Sequence, residues 1–199
     1  MSAQRKVAIL GVDGADFAYY SRWMAAGLAP NFARLAARGR MGILQSTYPP
    51  VTAPAWISLM TGEQPGSHGI VGFAAPFTGA YTRKVVNSGS FDAPTIWEIA
   101  GRHGADKLVV NVPLTWPVRP VHGTLVSGML TPEGASFTHP PEFQATLRRT
   151  QPDYVIDLIW QIYQGRGLDL VRDVTEMTRM QAGLCTRLLR SEPWDFFMV

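Results

Sequence analysis

The chain has 199 residues, of which 46% are apolar, so it can bury a hydrophobic core and is predicted to form one domain or most of one. Its net charge of +3 comes from 18 basic and 15 acidic residues scattered along the sequence, which does not indicate a nucleic-acid partner. No apolar run approaches the ~18 residues of a membrane span. The single cysteine, Cys185, cannot form an internal disulfide and is expected to fill a buried apolar position. We therefore expect a cytoplasmic protein without a membrane partner; the sequence does not indicate its oligomeric state.

The first predicted element is a strand over residues 6–12, which are apolar without alternation and lead into Asp13 and Gly14. This pattern is typical of a fully buried parallel strand. In an open α/β sheet, the carboxyl ends of the strands face the ligand crevice. Asp13 is therefore predicted to lie where a metal ion or a polar substrate binds.

Two helices and a strand are predicted next, at 15–26, from Pro30 to Gly39, and at 41–44. Pro54 suits the first turn of a further helix, which places Thr52 at or just before its N-cap. The free N–H groups and the positive dipole end at a helix start stabilise a bound phosphate or an alkoxide. Thr52 is thus the second candidate site residue.

Strand and helix patterns continue to alternate downstream, which predicts an α/β fold. A Gly- and Pro-rich loop at 63–93 is long enough to contribute substrate contacts. A helix is predicted at 95–102, a buried strand at 107–112 and a weak strand at 125–126.

The proline-rich residues that follow predict a cap-like excursion at about 113–165, within which 154–163 fits either a strand or a helix. A helix is predicted at 168–189 from its apolar spacing. The last residues, 194–199, have the composition of a central strand rather than of a terminus. Termini are usually polar and exposed, so we expect the natural protein to continue past Val199.

Three motifs, in this order and spacing, resemble the type I phosphodiesterase and nucleotide pyrophosphatase branch of the alkaline phosphatase superfamily. Within that branch, the chain is most similar to the bacterial and archaeal proteins described as predicted phosphohydrolases or phosphomutases. The motifs are Gly11-Val12-Asp13-Gly14, residues 49–56 and residues 60–70. The resemblance implies a three-layer α/β/α sandwich with a mainly parallel central sheet. Residues 1–199 would then be the N-terminal part of a single catalytic domain, truncated at its C-terminus.

The resemblance also implies a chemistry. Asp13 would bind one of two divalent metal ions, of which zinc is expected and manganese or magnesium would also serve. Thr52 would be both a metal ligand and the nucleophile that becomes phosphorylated, and the backbone N–H of Ala53 would support a phosphoryl oxygen. The remaining metal ligands, two aspartates and three histidines, are expected beyond Val199. The implied function is hydrolysis of a small-molecule phosphomonoester or phosphodiester.

One residue departs from the family pattern. Phe73 stands where nucleotide pyrophosphatases of this family carry an asparagine that contacts the phosphoryl group. This difference argues against a nucleotide diester as substrate and predicts that Phe73 lines the substrate pocket. Two other functions stay open: a non-catalytic truncated chain that at most binds phosphate or a phosphoester, and a phosphomutase.

Other polar residues near these motifs are expected to have structural roles. Asp13 and Thr52 could themselves be helix caps without chemistry. Asp16 is expected to be an exposed acid in the first turn of a helix rather than a ligand. His68 is expected to stabilise a tight turn, and His103 to cap a helix C-terminus.

Overall fold

The computed structural model describes residues 6–75 and 84–199. Within them, five strands form one sheet in the order β1-β5-β2-β3-β4. The strands are β1 (Val7–Ile9), β2 (Lys107–Val112), β3 (Gly123–Ser127), β4 (Thr138–His139) and β5 (Phe196–Met198). Neighbouring strands run parallel except β4, which is antiparallel to β3. The prediction of an α/β fold with a mainly parallel sheet is confirmed.

Seven α-helices lie in the described parts of the chain. They are α1 (Phe17–Ala25), α2 (Pro30–Arg38), α3 (Thr52–Thr61), α4 (Pro65–His68), α5 (Ile96–Arg102), α6 (Glu142–Thr150) and α7 (Gly167–Ser191). Two short 3₁₀ turns lie at Ser88–Ser90 and Trp160–Tyr163. Among the described helices, none is long and apolar enough to cross a membrane.

The sheet separates two hydrophobic clusters. Because side chains of a strand alternate between its faces, Phe196 and Met198 of β5 pack into one cluster and Phe197 into the other. The first cluster includes Trp56 of α3. The second includes Leu184 of α7. Helices therefore lie on both faces of the sheet, which is the predicted α/β/α arrangement.

A bulge changes the phase of β2 at its carboxyl end. The register against β3 shifts between Val110 and Val112, and Asn111 there has a positive φ of 55°. Val110 packs into the second cluster and Val112 into the first, because the extra residue reverses the alternation. Both faces of β2 thus stay filled with apolar side chains up to the edge that carries the candidate site.

Two predicted strands differ from the structure. The first is only Val7–Ile9, lies at the edge of the described sheet and is not fully buried, since Val7 is 51% exposed. Residues 41–44 form no strand, and Ile43 is 79% exposed. An uninterrupted apolar run predicts burial only when another element covers both faces. Residues 41–44 are all exposed, so no described element covers them.

Most other elements match their predictions. β2 has the predicted bounds, and β5 pairs with both β1 and β2 as the predicted central strand. The segment at 154–163 forms neither a strand nor an α-helix, only the short 3₁₀ turn. Cys185 lies buried on α7, and burial raises the pKa of its thiol to about 11, as expected for a packing residue.

The two irregular regions contain more structure than their composition suggests. Within 113–165, β3 and β4 belong to the sheet and α6 packs against it, while the division into a domain body and a cap-like excursion stays a prediction. Within the loop at 63–93, the structure includes α4 and a bridge between Ala74 and Val85. Part of that predicted loop, 76–83, lies outside the described residues.

His68 joins α4 to α3. Its Nδ1 accepts a hydrogen bond from the Ile70 amide at 3.1 Å, so Nε2 carries the ring hydrogen and donates to the Ser58 hydroxyl at 3.0 Å. The side chain is buried, and burial lowers its pKa below the ordinary histidine value, an effect that nearby Glu63 partly opposes. The neutral ring is the form that this geometry uses. The expected structural role of His68 is consistent with these contacts.

Replacing Leu184 by alanine should lower the free energy of unfolding by about 2–5 kcal/mol. Leu184 is fully buried between α7 and the sheet, so its loss leaves a cavity. Leu168, on the same helix, is 89% exposed, and Leu168→Ala should change stability by less than about 0.5 kcal/mol. Urea unfolding measures both variants. Equal effects would contradict the assignment of this face of α7 to the core.

The stability of the protein should depend on pH through His68. Because the folded state lowers its pKa, the unfolded chain binds more protons, and the contribution of the neutral ring is complete above about pH 6.5. That contribution should be lost as the pH falls from 6.5 toward the lowered pKa. Urea unfolding between pH 7.5 and 5.5 should show a smaller loss in His68→Gln than in the wild type.

The exposed histidine His103, which caps α5, provides the control. His103→Gln removes an exposed imidazole and so controls for the loss of one histidine in general. If the wild type, His68→Gln and His103→Gln lose the same stability on acidification, His68 does not carry the effect.

Candidate active site

The candidate site lies at the carboxyl ends of the parallel strands. Pairing between β1 and β5 continues past both strands, since the Gly11 amide donates to the Val199 carbonyl at 2.7 Å. Asp13 follows two residues later and is exposed. The structure therefore places Asp13 beyond the carboxyl end of β1, the end of the strands at which ligands of open α/β folds bind.

Asp13 has one protein partner among the described residues. The indole Nε1 of Trp56 donates a hydrogen bond to its Oδ2 at 3.3 Å, and Oδ1 has no hydrogen-bond partner among the described residues. Asp16 has a different role: its Oδ1 accepts from the amides of Ala18 at 2.8 Å and Tyr19 at 3.1 Å, so it is the N-cap of α1. The sequence predicted Asp16 in the first turn of a helix, whereas the structure places it one position earlier, as the N-cap.

Thr52 is the first residue of α3, directly after the N-cap Val51, which is extended and provides no side-chain cap. The side chain of Thr52 is half-buried, and within the described parts of the chain its hydroxyl has no hydrogen-bond partner. The amides of Thr52 and Ala53 also have no acceptor there. These N–H groups, at the positive end of the helix dipole, form a local site that favours an anion.

Trp56 connects the two predicted site residues. It follows Thr52 by four residues in α3, so both side chains project from the same face about one turn apart. The indole also reaches Asp13, so the carboxylate lies within hydrogen-bond distance of a side chain of α3. In the sequence, Trp56 is the last residue of the motif at 49–56. Its spacing of four from Thr52 on a predicted helix was the signal that could have identified it.

The two side chains offer oxygen ligands that suit a hard or borderline divalent ion such as magnesium, manganese or zinc. They do not complete a coordination sphere. Among the residues that the structure describes, no group of three or more His, Cys, Asp or Glu side chains could hold a metal ion. Asp13 and Thr52 therefore fit a metal as part of its ligand set only.

The histidines do not join this site. His68 faces Ser58, and His103 caps α5 as expected. His122 pairs with Asp106, with 2.8 Å between Nδ1 and Oδ1, at the amino end of β2 and therefore at the other end of the strand from the candidate site. His139 belongs to β4.

Phe73 follows α4 and is 38% exposed. Its carbonyl accepts from the Val86 amide at 2.9 Å, next to the bridge between Ala74 and Val85. No described contact connects the Phe73 side chain to Asp13 or Thr52, so its place in a substrate pocket stays a prediction.

A second polar group at the same edge is structural. The Tyr154 hydroxyl donates to the Oδ1 of Asn111 in the β2 bulge, and burial raises the Tyr154 pKa well above its ordinary value. A phenol that stays neutral is a hydrogen-bond donor rather than a base. The Asn111 amide donates in turn to the Ile156 carbonyl at 3.3 Å, so this pair attaches the 154–156 segment to β2.

Among solved structures, the chain is similar to the phosphonoacetate hydrolase from Sinorhizobium meliloti 1021. The structure with phosphonoformate has a TM-score of 0.69 and the structure with phosphonoacetate one of 0.70, each at 20% sequence identity. Both alignments cover 98% of this chain and 46% of the longer protein, so the chain spans about half the length of these structures. At this identity the similarity shows a common fold.

No curated protein sequence matches the chain. Residues 7–199 match the family described as "Type I phosphodiesterase / nucleotide pyrophosphatase". That range includes all three motifs and every strand of the described sheet. The chain therefore belongs to the type I phosphodiesterase and nucleotide pyrophosphatase family.

Proposed function

We propose that the protein is a metal-dependent phosphoric ester hydrolase with Thr52 as its nucleophile. The observation that carries the proposal is the hydrogen bond from Trp56 to Asp13, which joins the carboxylate to a residue one turn after Thr52 on α3. A hydroxyl and free amides at the start of α3, with an anionic ligand linked to the same helix, suit attack on a phosphoryl group. Membership of the family supports this chemistry.

Asp13 and Thr52 would provide ligands for one of two divalent ions, zinc being the first expectation and manganese or magnesium the others. Such an ion supplies positive charge that lowers the pKa of a bound hydroxyl and offsets the charge of phosphoryl oxygens. We infer that the remaining ligands lie outside these 199 residues, in the rest of a single catalytic domain. The absence of a three-ligand group from the described residues and the greater length of the solved neighbours support this inference.

In the proposed reaction, the Thr52 oxygen attacks phosphorus and loses its proton, while the bond from phosphorus to the leaving oxygen breaks. The leaving group departs as an alcohol or phenol after it takes up a proton. The Ala53 amide donates to a phosphoryl oxygen at the helix N-terminus. Water then attacks the phosphorylated Thr52, which releases phosphate or a phosphomonoester and restores the hydroxyl.

We propose a small-molecule phosphoester as the substrate. The solved neighbours bind phosphonoacetate and phosphonoformate, which are small phosphonates. Phe73 offers an apolar ring where an asparagine would contact the phosphoryl group, so a nucleotide diester is the less suitable substrate. The proposal includes a cytoplasmic location, which suits a protein whose single thiol, on Cys185, is buried and unpaired.

A second candidate function is binding of phosphate or a phosphoester without catalysis. It is favoured by one observation: the amides of Thr52 and Ala53 have no acceptor among the described residues, so they can bind a phosphoryl oxygen without a metal ion. Metal-dependent hydrolysis that disappears in Thr52→Ala supports the enzyme. A folded protein that binds phosphate but hydrolyses no ester with any of the three metals supports the binder. Transfer of the phosphoryl group to a second alcohol instead of water would identify a phosphomutase.

In the full-length protein, which would supply the remaining metal ligands, Thr52→Ala should lower kcat/KM for a chromogenic phosphodiester by about a thousandfold or more, because the covalent route is lost. Thr52→Ser keeps a hydroxyl at the same atom and should retain much more of the rate. With the wild type, a pre-steady-state burst of one leaving group per site is expected if breakdown of the intermediate is slow. Mass spectrometry of quenched protein should find the phosphoryl group on Thr52. An adduct on another residue would contradict the assignment.

In the full-length protein, Asp13→Asn should weaken metal binding by about 10- to 100-fold or more and lower turnover, because a neutral amide replaces an anionic ligand. Elemental analysis of the purified protein and the steady-state rate measure these effects. Asp16→Asn is the matched control, since asparagine also caps a helix and Asp16 has no proposed metal contact. Unchanged metal content and rate in Asp13→Asn would remove Asp13 from the ligand set.

A further inference from the structure

We propose that Trp56 is a positioning residue, which fixes the Asp13 carboxylate for metal binding and links it to the helix that carries Thr52. The proposal rests on the proposed function, because it assigns a partner to one of the inferred metal ligands. Its basis is a contact in the structure: the Trp56 indole donates to Asp13 Oδ2 at 3.3 Å.

Trp56 is held rigidly enough for this role. It is only 8% exposed and belongs to the hydrophobic cluster between α3 and the sheet. Gly11, at the end of β1, lies against its ring: a Cβ at Gly11 would come within 2.8 Å of the Trp56 Cζ3 and closer still to Cη2. Only glycine leaves room for the ring at this point. Ring and strand therefore fix each other's position.

The fixed indole orients a side chain that is otherwise free. Asp13 is exposed, and in the described chain no other group donates to its carboxylate. A buried indole N–H requires an acceptor, and Asp13 supplies it. The hydrogen bond occupies Oδ2 and leaves Oδ1 for a ligand. Groups that hold metal ligands in this way commonly affect metal affinity by about 10- to 100-fold when they are removed.

The same side chain also sets the relation between the two proposed ligands. Trp56 and Thr52 lie on one face of α3, one turn apart, so a shift of the helix would move the hydroxyl and the indole together. Asp13 would follow through its hydrogen bond. Trp56 thus connects the strand-borne carboxylate to the helix-borne hydroxyl without being a ligand itself.

Trp56→Phe tests the proposal, since it keeps an aromatic ring against Gly11 and removes the N–H donor. In calorimetric titrations of the full-length protein, manganese should bind the Trp56→Phe variant about 10- to 100-fold more weakly than the wild type. Trp194→Phe is the matched control: the Trp194 indole donates to the Leu189 carbonyl at 3.2 Å, away from Asp13. This variant should bind manganese like the wild type.

A double-mutant cycle separates positioning from general destabilisation. If Trp56 acts through Asp13, adding Trp56→Phe to Asp13→Asn should weaken manganese binding no further. If Trp56→Phe weakens binding equally in both backgrounds, or not at all in the wild type, the proposal is overturned. If Asp13→Asn by itself leaves manganese affinity unchanged, the proposed metal site fails, which is a separate result.

Two further measurements apply even if Trp56→Phe does not fold. Gly11→Ala adds one methyl group that displaces the ring, and it should weaken manganese binding, whereas Gly42→Ala, whose added carbon meets nothing within 4 Å, should not. In the unmodified protein, substoichiometric manganese should broaden the indole NMR signal of Trp56 and spare that of Trp194. A Trp56 signal as sharp as that of Trp194 would refute the placement of the metal beside Asp13.

Discussion

The close packing of α3 on the sheet is the constraint on which the candidate site depends. Trp56 enters the hydrophobic cluster at a point where Gly11 presents no side chain, so helix and strand approach within ring-to-backbone contact. Ala53, Ile57 and Met60 are buried on the same helix. Since a packed core resists small displacements, the start of α3 is held in a defined place relative to the end of β1. Thr52 and Asp13 take their relative position from that packing.

Burial differs between the centre of the sheet and its β1 edge. β2, β3 and β5 are covered on both faces, and their side chains fill the two clusters. The N-terminal region is different. β1 lies at an edge, and neither α1 nor α2 has a buried residue. Tyr20 packs mainly against aromatic neighbours of its own region, with its ring centroid 5.2 Å from that of Trp23. The candidate site thus lies where the well-packed part of the sheet meets its exposed edge.

Local chemistry explains which elements were predictable. Pro30 and Gly39 mark the ends of α2, and Thr95 forms a capping box with Glu98 at the start of α5, so these bounds could be read from neighbouring residues. β2 was predicted with its observed bounds because its apolar run is covered on both faces. The same kind of run wrongly predicted a fully buried strand at 6–12 and a strand at 41–44. Apolarity states that a segment can be buried, whereas burial itself depends on partners that a one-dimensional pattern does not contain.

The sequence by itself determined the α/β class, the family, and the candidacy of Asp13 and Thr52, because these depend on residue type, order and spacing along the chain. Tertiary structure alone decided that Trp56 reaches Asp13 across 43 residues of sequence, that β5 inserts between β1 and β2, and that Ser58 and His68 join α3 to α4. It also kept the histidines apart from the two candidate residues. The physical reason is that hydrogen bonds and packing between distant segments follow from how helices stack on the sheet, and no local propensity specifies that arrangement.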